Sequence, residues 1–177
     1  NDGHVLCLGA GGAGTAITVN LLTQPDLQDR PHRLLVVNDL REGLDRLRSI
    51  VAQLASSVEV DYVLNADPRR NDALLATLPE GSLIINATGM GKDRPGSPIT
   101  DEGCFPLHSI AWDLNYRGEL GFLCQARAQT QQRHLQVHDG WDYFVGSWAE
   151  HIAEIFQLTI SPRQLAQLRV MAEEVRT

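Results

Sequence analysis

The sequence holds a single lysine, Lys92, among 177 residues, and its longest basic run is the pair Arg69-Arg70. With a formal net charge of −7, it lacks the basic stripe that nucleic acid or an anionic membrane surface would require. Cysteine is scarce as well. Cys7, Cys104 and Cys124 are too few and too widely spaced for a disulfide scaffold or a thiolate metal site. The six histidines are scattered. His134 and His138 are four apart in a segment that reads as a strand, which would separate them by roughly 13 Å, so no metal site is expected. No apolar run approaches the roughly 18 residues of a membrane span, and no charged-then-apolar leader is present. A cytoplasmic protein is the expectation.

What the sequence does contain suits one domain or one lobe of a larger protein. A hydrophobic fraction of 43% and a charged fraction of 21% are ordinary for a globular chain able to bury a core. Apolar periodicity alternates between strand and helix. Strands are expected over residues 4–8, 34–37, 58–64, 83–87, 109–114 and 135–137. Helices are expected over 12–22, 41–54, 71–78 and 120–129, followed by two at the end of the chain. In the second helix Leu44, Leu47, Val51 and Leu54 make one apolar face. In the penultimate one Trp141, Phe144, Val145, Trp148, Ile152, Ile155 and Phe156 form a continuous stripe. Ser161, Pro162 and Gln164 open the last helix as a capping box. This alternation predicts an α/β fold, a doubly wound, mostly parallel six-stranded Rossmann sheet with helices on both faces. The C-terminal helices should pack at its edge. Residues 1–177 read as one domain, and the absence of an initiator Met suggests the continuation of something longer.

The first strand runs into Gly9-Ala10-Gly11-Gly12-Ala13-Gly14 and then directly into a helix. A bare GxGxxG is weak, but between a strand and a helix, with an acid after the next strand, it matches a dinucleotide-binding fingerprint. Gly9 permits the tight turn, Gly11 lets the backbone approach a pyrophosphate, and Gly14 lets the helix pack on the strand. Gly12 and Ala13 lie at the helix N-terminus, whose free N–H groups favour phosphate. Asp39 closes the second strand, where a carboxylate accepts from ribose hydroxyls and repels a 2′-phosphate. It stands equally well as a helix N-cap, and Asn38 suits either task. Arg41 points the other way, toward a 2′-phosphate. NAD is therefore the expected cofactor, with NADP admitted by Arg41.

Past the fourth strand, Ile85-Asn86-Ala87-Thr88-Gly89-Met90-Gly91 resembles the Asn-Ala-Thr-Ser-x-Gly-Met signature of the shikimate/quinate dehydrogenase family. Asp113-Leu114-Asn115-Tyr116 is similar to that family's Asp-Met-x-Tyr segment, and Asp139-Gly140-Trp141-Asp142-Tyr143-Phe144-Val145 to its Asp-Gly-Leu-x-Met-Leu-Val stretch. The resemblance spans nearly the whole chain. It implies a two-lobe oxidoreductase of aromatic amino acid biosynthesis that reduces a cyclic 3-dehydro acid such as 3-dehydroshikimate or 3-dehydroquinate. This chain would be its C-terminal, dinucleotide-binding lobe, with the N-terminal substrate lobe absent from it. Asn86, Ala87 and Thr88 would line the nicotinamide half, Gly140 would approach the carboxamide, and Tyr116 and Tyr143 would face the substrate. Ser147 stands where the family carries a substrate-reaching Gln. The family's catalytic Lys and Asp belong to the other lobe, so no catalytic residue is expected here. Lys92 is expected to be a solvated loop lysine.

Two other classes compete. An ATP-dependent adenylating enzyme also uses a Gly-x-Gly-Gly-x-Gly loop, but its Arg-Gln pair and paired CxxC sites are missing. A non-catalytic dinucleotide-binding module is the other. A methyltransferase using S-adenosylmethionine would carry an acid in the strand before the loop, and Val5-Leu6-Cys7-Leu8 has none.

Overall fold

A computed structural model describes residues 3–176. Asn1, Asp2 and Thr177, which the one-domain reading includes, lie outside the described residues. Six strands alternate with helices in the order β1 (His4–Leu8), α1 (Gly12–Leu22), β2 (Arg33–Asn38), α2 (Arg41–Val51), β3 (Glu59–Leu64), α3 (Pro68–Leu75), β4 (Leu83–Asn86), β5 (Ile110–Asp113), α4 (Gly121–Arg133), β6 (Gln136–His138), α5 (Trp141–Phe156) and α6 (Pro162–Glu174). The sheet order is β3-β2-β1-β4-β5-β6, and every pairing is parallel. The chain reverses direction across the sheet between β1 and β4, and ligands bind outside the carboxyl ends of the strands at such a switch point.

Strand residues alternate between two cores. Val5, Cys7, Leu34, Val36 and Ile85 pack beneath α1 and α2 with Ile17, Leu22, Leu44 and Leu47. Leu6, Leu8, Ile84 and Ala111 face the opposite layer, built on Leu75, Phe105, Phe122 and Ala126. Burying each such large side chain contributes about 1.5–3 kcal/mol. The edge-to-face contact of Phe105 with Phe122, centroids 5.6 Å apart, adds about 1 kcal/mol.

Element ends shift by a few residues from the sequence expectation, each for a local reason. Helix α2 stops at Val51 because the N–H groups of Gln53 and Leu54 fold back onto Ile50 and Val51. Helix α3 begins earlier, at Pro68, because Asp67 caps it by accepting from the Arg69 N–H at 3.0 Å. Helix α4 runs on to Arg133, where His134 adopts φ 54° and ends it. The last two helices sit at the β6 edge. Trp112 of β5 meets Tyr143 of α5 edge-on at 5.9 Å, and Arg176 pairs with Asp139. The α5 stripe is only partly covered. Val145 and Ala149 are buried, while Trp148, Ile155 and Phe156 are 55%, 72% and 67% exposed. No helix among the described residues is long and apolar enough to cross a membrane.

Candidate functional site

The glycine loop separates into two kinds of glycine. Gly9 has φ 108°, and a Cβ there would strike the Ala87 carbonyl. Gly14 faces the Gly9 carbonyl so closely that any side chain would hold α1 off β1. The fold itself needs both. Gly11 and Gly12 are different. A Cβ on either would meet open space, and Gly11, the N-cap of α1, has an ordinary φ of −74°. Nothing inside the chain requires glycine at these two positions, whereas a phosphate resting on the backbone would. No side chain caps α1, so N–H groups of its first turn, including that of Ala13, have no intrahelical partner and face outward.

At the end of β2, Asn38 accepts from the Ala10 N–H at 2.9 Å and donates to the Leu40 carbonyl at 2.8 Å. It fastens β2 to the glycine loop. Asp39 is not the cap of α2, as one reading of the sequence had it, because the N-cap is Leu40 and makes no side-chain bond. The Asp39 carboxylate instead pairs with Arg94 at 2.9 Å, and Arg94 also donates to the Thr88 carbonyl at 3.2 Å. Arg41 is exposed at the start of α2. Gly9, Asn38, Asp39, Asn65, Thr88 and Arg94 border a shallow pocket of about 50 Å³ on the β2 side of the loop.

A larger cleft of about 450 Å³ opens on the other side, toward β5, lined among others by Ala13, Thr88, Lys92, Tyr116, Tyr143 and Ser147. Ala87 lines it too, whereas Asn86 is fully buried beneath. The Asn86 amide oxygen accepts from the Thr88 N–H and hydroxyl at 3.1 and 2.7 Å, and its nitrogen donates to Asp113 at 3.0 Å. It shapes the turn from inside. Burial pushes the Asp113 carboxyl up to about 7, against the downward pull of bonds from the Asn115 N–H and Asn86. Gly140, the N-cap of α5, is buried against the Leu114 backbone, where a side chain would overlap the carbonyl. Tyr116 stacks on Phe144 at 4.3 Å. Ser147 donates to the Phe144 carbonyl at 3.0 Å.

Lys92 is not a freely solvated loop lysine. Its side chain is only 22% exposed, with the ammonium 3.1 Å from Asp93 and 5.6 Å from the centre of the Tyr116 ring. The Gly89 carbonyl accepts from the N–H groups of Lys92, Asp93 and Arg94, which turns the loop back over the cleft. Sequence reasoning also passed over Arg94. The glycines of this loop signalled a tight path, but nothing local named a partner 55 residues away.

No family model matches the chain. It is 30% identical over 153 residues to the shikimate dehydrogenase (NADP(+)) of Symbiobacterium thermophilum, an alignment covering 81% of this chain and 49% of that protein. The chain is similar to shikimate dehydrogenases along most of its own length. The chorismate mutase/shikimate 5-dehydrogenase fusion protein of Clostridium acetobutylicum superimposes with a TM-score of 0.61 at 21% identity, over 99% of this chain and 55% of that one. The 5-ketofructose reductase of Gluconobacter sp. strain CHM43 does so with a TM-score of 0.60 at 17% identity, over 95% and 56%. The chain spans about half the length of the curated relatives it matches. Its sheet and glycine loop correspond to the Rossmann-like part of that fold.

Proposed function

We propose that the chain is the NAD-binding lobe of a shikimate dehydrogenase-like oxidoreductase acting on a cyclic 3-dehydro acid such as 3-dehydroshikimate or 3-dehydroquinate. One observation carries this reading. The two depressions flank the glycine loop on opposite sides of the switch point and share Thr88, an arrangement that suits an elongated molecule with its phosphates over the loop. Gly11, Gly12 and the N-terminus of α1 would hold the pyrophosphate. Asp39 would take the adenosine ribose, and Ala87, Thr88 and Tyr116 would wall the nicotinamide. The cofactor, when bound, supplies the hydride.

The remaining residues serve orientation. Tyr143 and Ser147 face the same cleft and offer hydroxyls to a polyhydroxylated ring. Lys92, the one lysine of the sequence, brings its ammonium to that cleft, a fitting counter-charge for the substrate carboxylate. A separate amino-terminal lobe would close the cleft and hold the groups that move the hydroxyl proton. The curated relatives are named for NADP(+), but a carboxylate at Asp39 works against a 2′-phosphate, so NAD is the favoured form here.

The test is Gly11→Val. A Cβ there meets no protein atom within 4 Å, so thermal stability should stay near that of the parent, while NAD affinity measured by calorimetry should fall at least roughly 100-fold as the phosphate loses its seat. Unchanged affinity would overturn the assignment.

A further inference from the structure

We infer that Arg94 is a specificity-determining residue on the adenosine side, one that cancels the Asp39 charge and admits a 2′-phosphate. The inference rests on the dinucleotide reading above. Arg94 is held in place by its backbone. Gly89 and Gly91 take φ values of 73° and 90°. The Arg94 N–H donates to the Gly89 carbonyl at 3.2 Å, and the Gly91 N–H donates to the Arg94 carbonyl at 2.7 Å. From there the side chain crosses from the β4 loop to the end of β2 and reaches Asp39 Oδ2, with its second arm on the Thr88 carbonyl.

This bridge changes what Asp39 presents. Alone, the carboxylate would set one negative charge against a phosphate monoester carrying nearly two. Paired, the site is locally neutral, and the planar guanidinium is a donor fork that matches a phosphate. The pair is also easy to open, since the Arg94 and Asp39 side chains are 51% and 35% exposed and exposed ion pairs exchange partners at little cost. With NAD, Asp39 Oδ1, which has no partner among the described residues, would take a ribose hydroxyl while Arg94 stays where it is. With NADP, Arg94 would swing from the carboxylate to the 2′-phosphate, joined from α2 by Arg41. One pair of residues thus reads both forms, and the NAD preference set by Asp39 is held down.

The experiment titrates NAD and NADP separately into the full chain, its Arg94→Ala and Arg94→Lys variants and Asp39→Asn, with thermal melts as the folding control. In the parent chain NAD should lead NADP by less than about tenfold. Arg94→Ala should weaken NADP by roughly 10- to 100-fold, the worth of a charged hydrogen-bond partner, and leave NAD within about threefold. Arg94→Lys should recover part of the loss, and Asp39→Asn should turn the preference toward NADP. If Arg94→Ala leaves the NAD-to-NADP ratio unchanged, or weakens both forms equally, the assignment to Arg94 falls while dinucleotide binding stands. If the parent chain binds neither form, the dinucleotide reading falls and this one with it.

Discussion

Asp113 closes β5 with one carboxylate oxygen bonded to Asn86 and Asn115 and the other buried without a partner among the described residues. A lone oxygen in that position is better off protonated, and burial raises the carboxyl to about 7 from its ordinary 3.8. The sign of the pH effect follows. Between those values the folded state keeps a proton that the unfolded chain has released, so stability falls as pH rises through this window. From about pH 5 to about pH 8 the loss should be on the order of 2 kcal/mol. Asp113→Asn places a neutral group of the same shape at the site and should flatten that slope in thermal unfolding. Equal slopes for the two proteins would show that Asp113 ionises freely.

The turn from β6 into α5 shows how one element positions the cleft. The Asp139 side chain accepts from the Trp141 N–H at 3.0 Å, its carbonyl accepts from the Trp112 indole at 3.2 Å, and Gly140 donates to the Asn115 carbonyl at 3.0 Å. Gly140 fits only because it has no side chain. Gly140→Ala should therefore overpack the junction and cost about 1–3 kcal/mol, read as a lower urea midpoint. A midpoint matching the parent would mean that α5 can slide freely. The elements around this turn also mark how far the sequence could be read. Strand β1, helix α1 and strand β2 were legible nearly to the residue, because the glycine loop and the apolar alternation are local signals. The start of α3 was written in Asp67-Pro68, but the apolar pattern begins later and drew the boundary to Asn71. The loop after β4 was legible as a loop and no further. Its path depends on the contacts of Arg94 with Asp39 and of Lys92 with Tyr116, 55 and 24 residues apart in sequence, and these decide that Lys92 lies in the cleft. Asn86 belonged to a recognisable motif, yet only packing reveals that it works from beneath the surface.

At the scale of the whole molecule, the candidate cleft opens to solvent beside an apolar face. The α5 face bearing Trp148, Ile155 and Phe156 and the α6 residues Val170 and Met171 remain open to solvent. In the proposed two-lobe reading, an amino-terminal substrate lobe would close over the cleft and cover part of this face. Positioned acid–base groups typically contribute about 10²–10⁴-fold to such a reaction, and positioning of the substrate contributes more. These 177 residues alone should accordingly bind dinucleotide yet fail to turn over shikimate or quinate in a spectrophotometric assay. Supplying the amino-terminal lobe should restore dehydrogenase activity. Reduction of NAD or NADP by the isolated chain with either acid would show that the catalytic groups lie within it.

The one lysine has a practical consequence. Because Lys92 is the sole lysine and its ammonium sits in the cleft beside Tyr116, a reagent that modifies side-chain amines can mark only one place on this chain. That place is the mouth of the candidate substrate site. A fluorophore or an isotopic methyl group attached there would serve as a built-in gauge of whatever enters the cleft, with no engineered residue and no second lysine to label; an α-amine takes the same reagents but titrates lower and is told apart by pH.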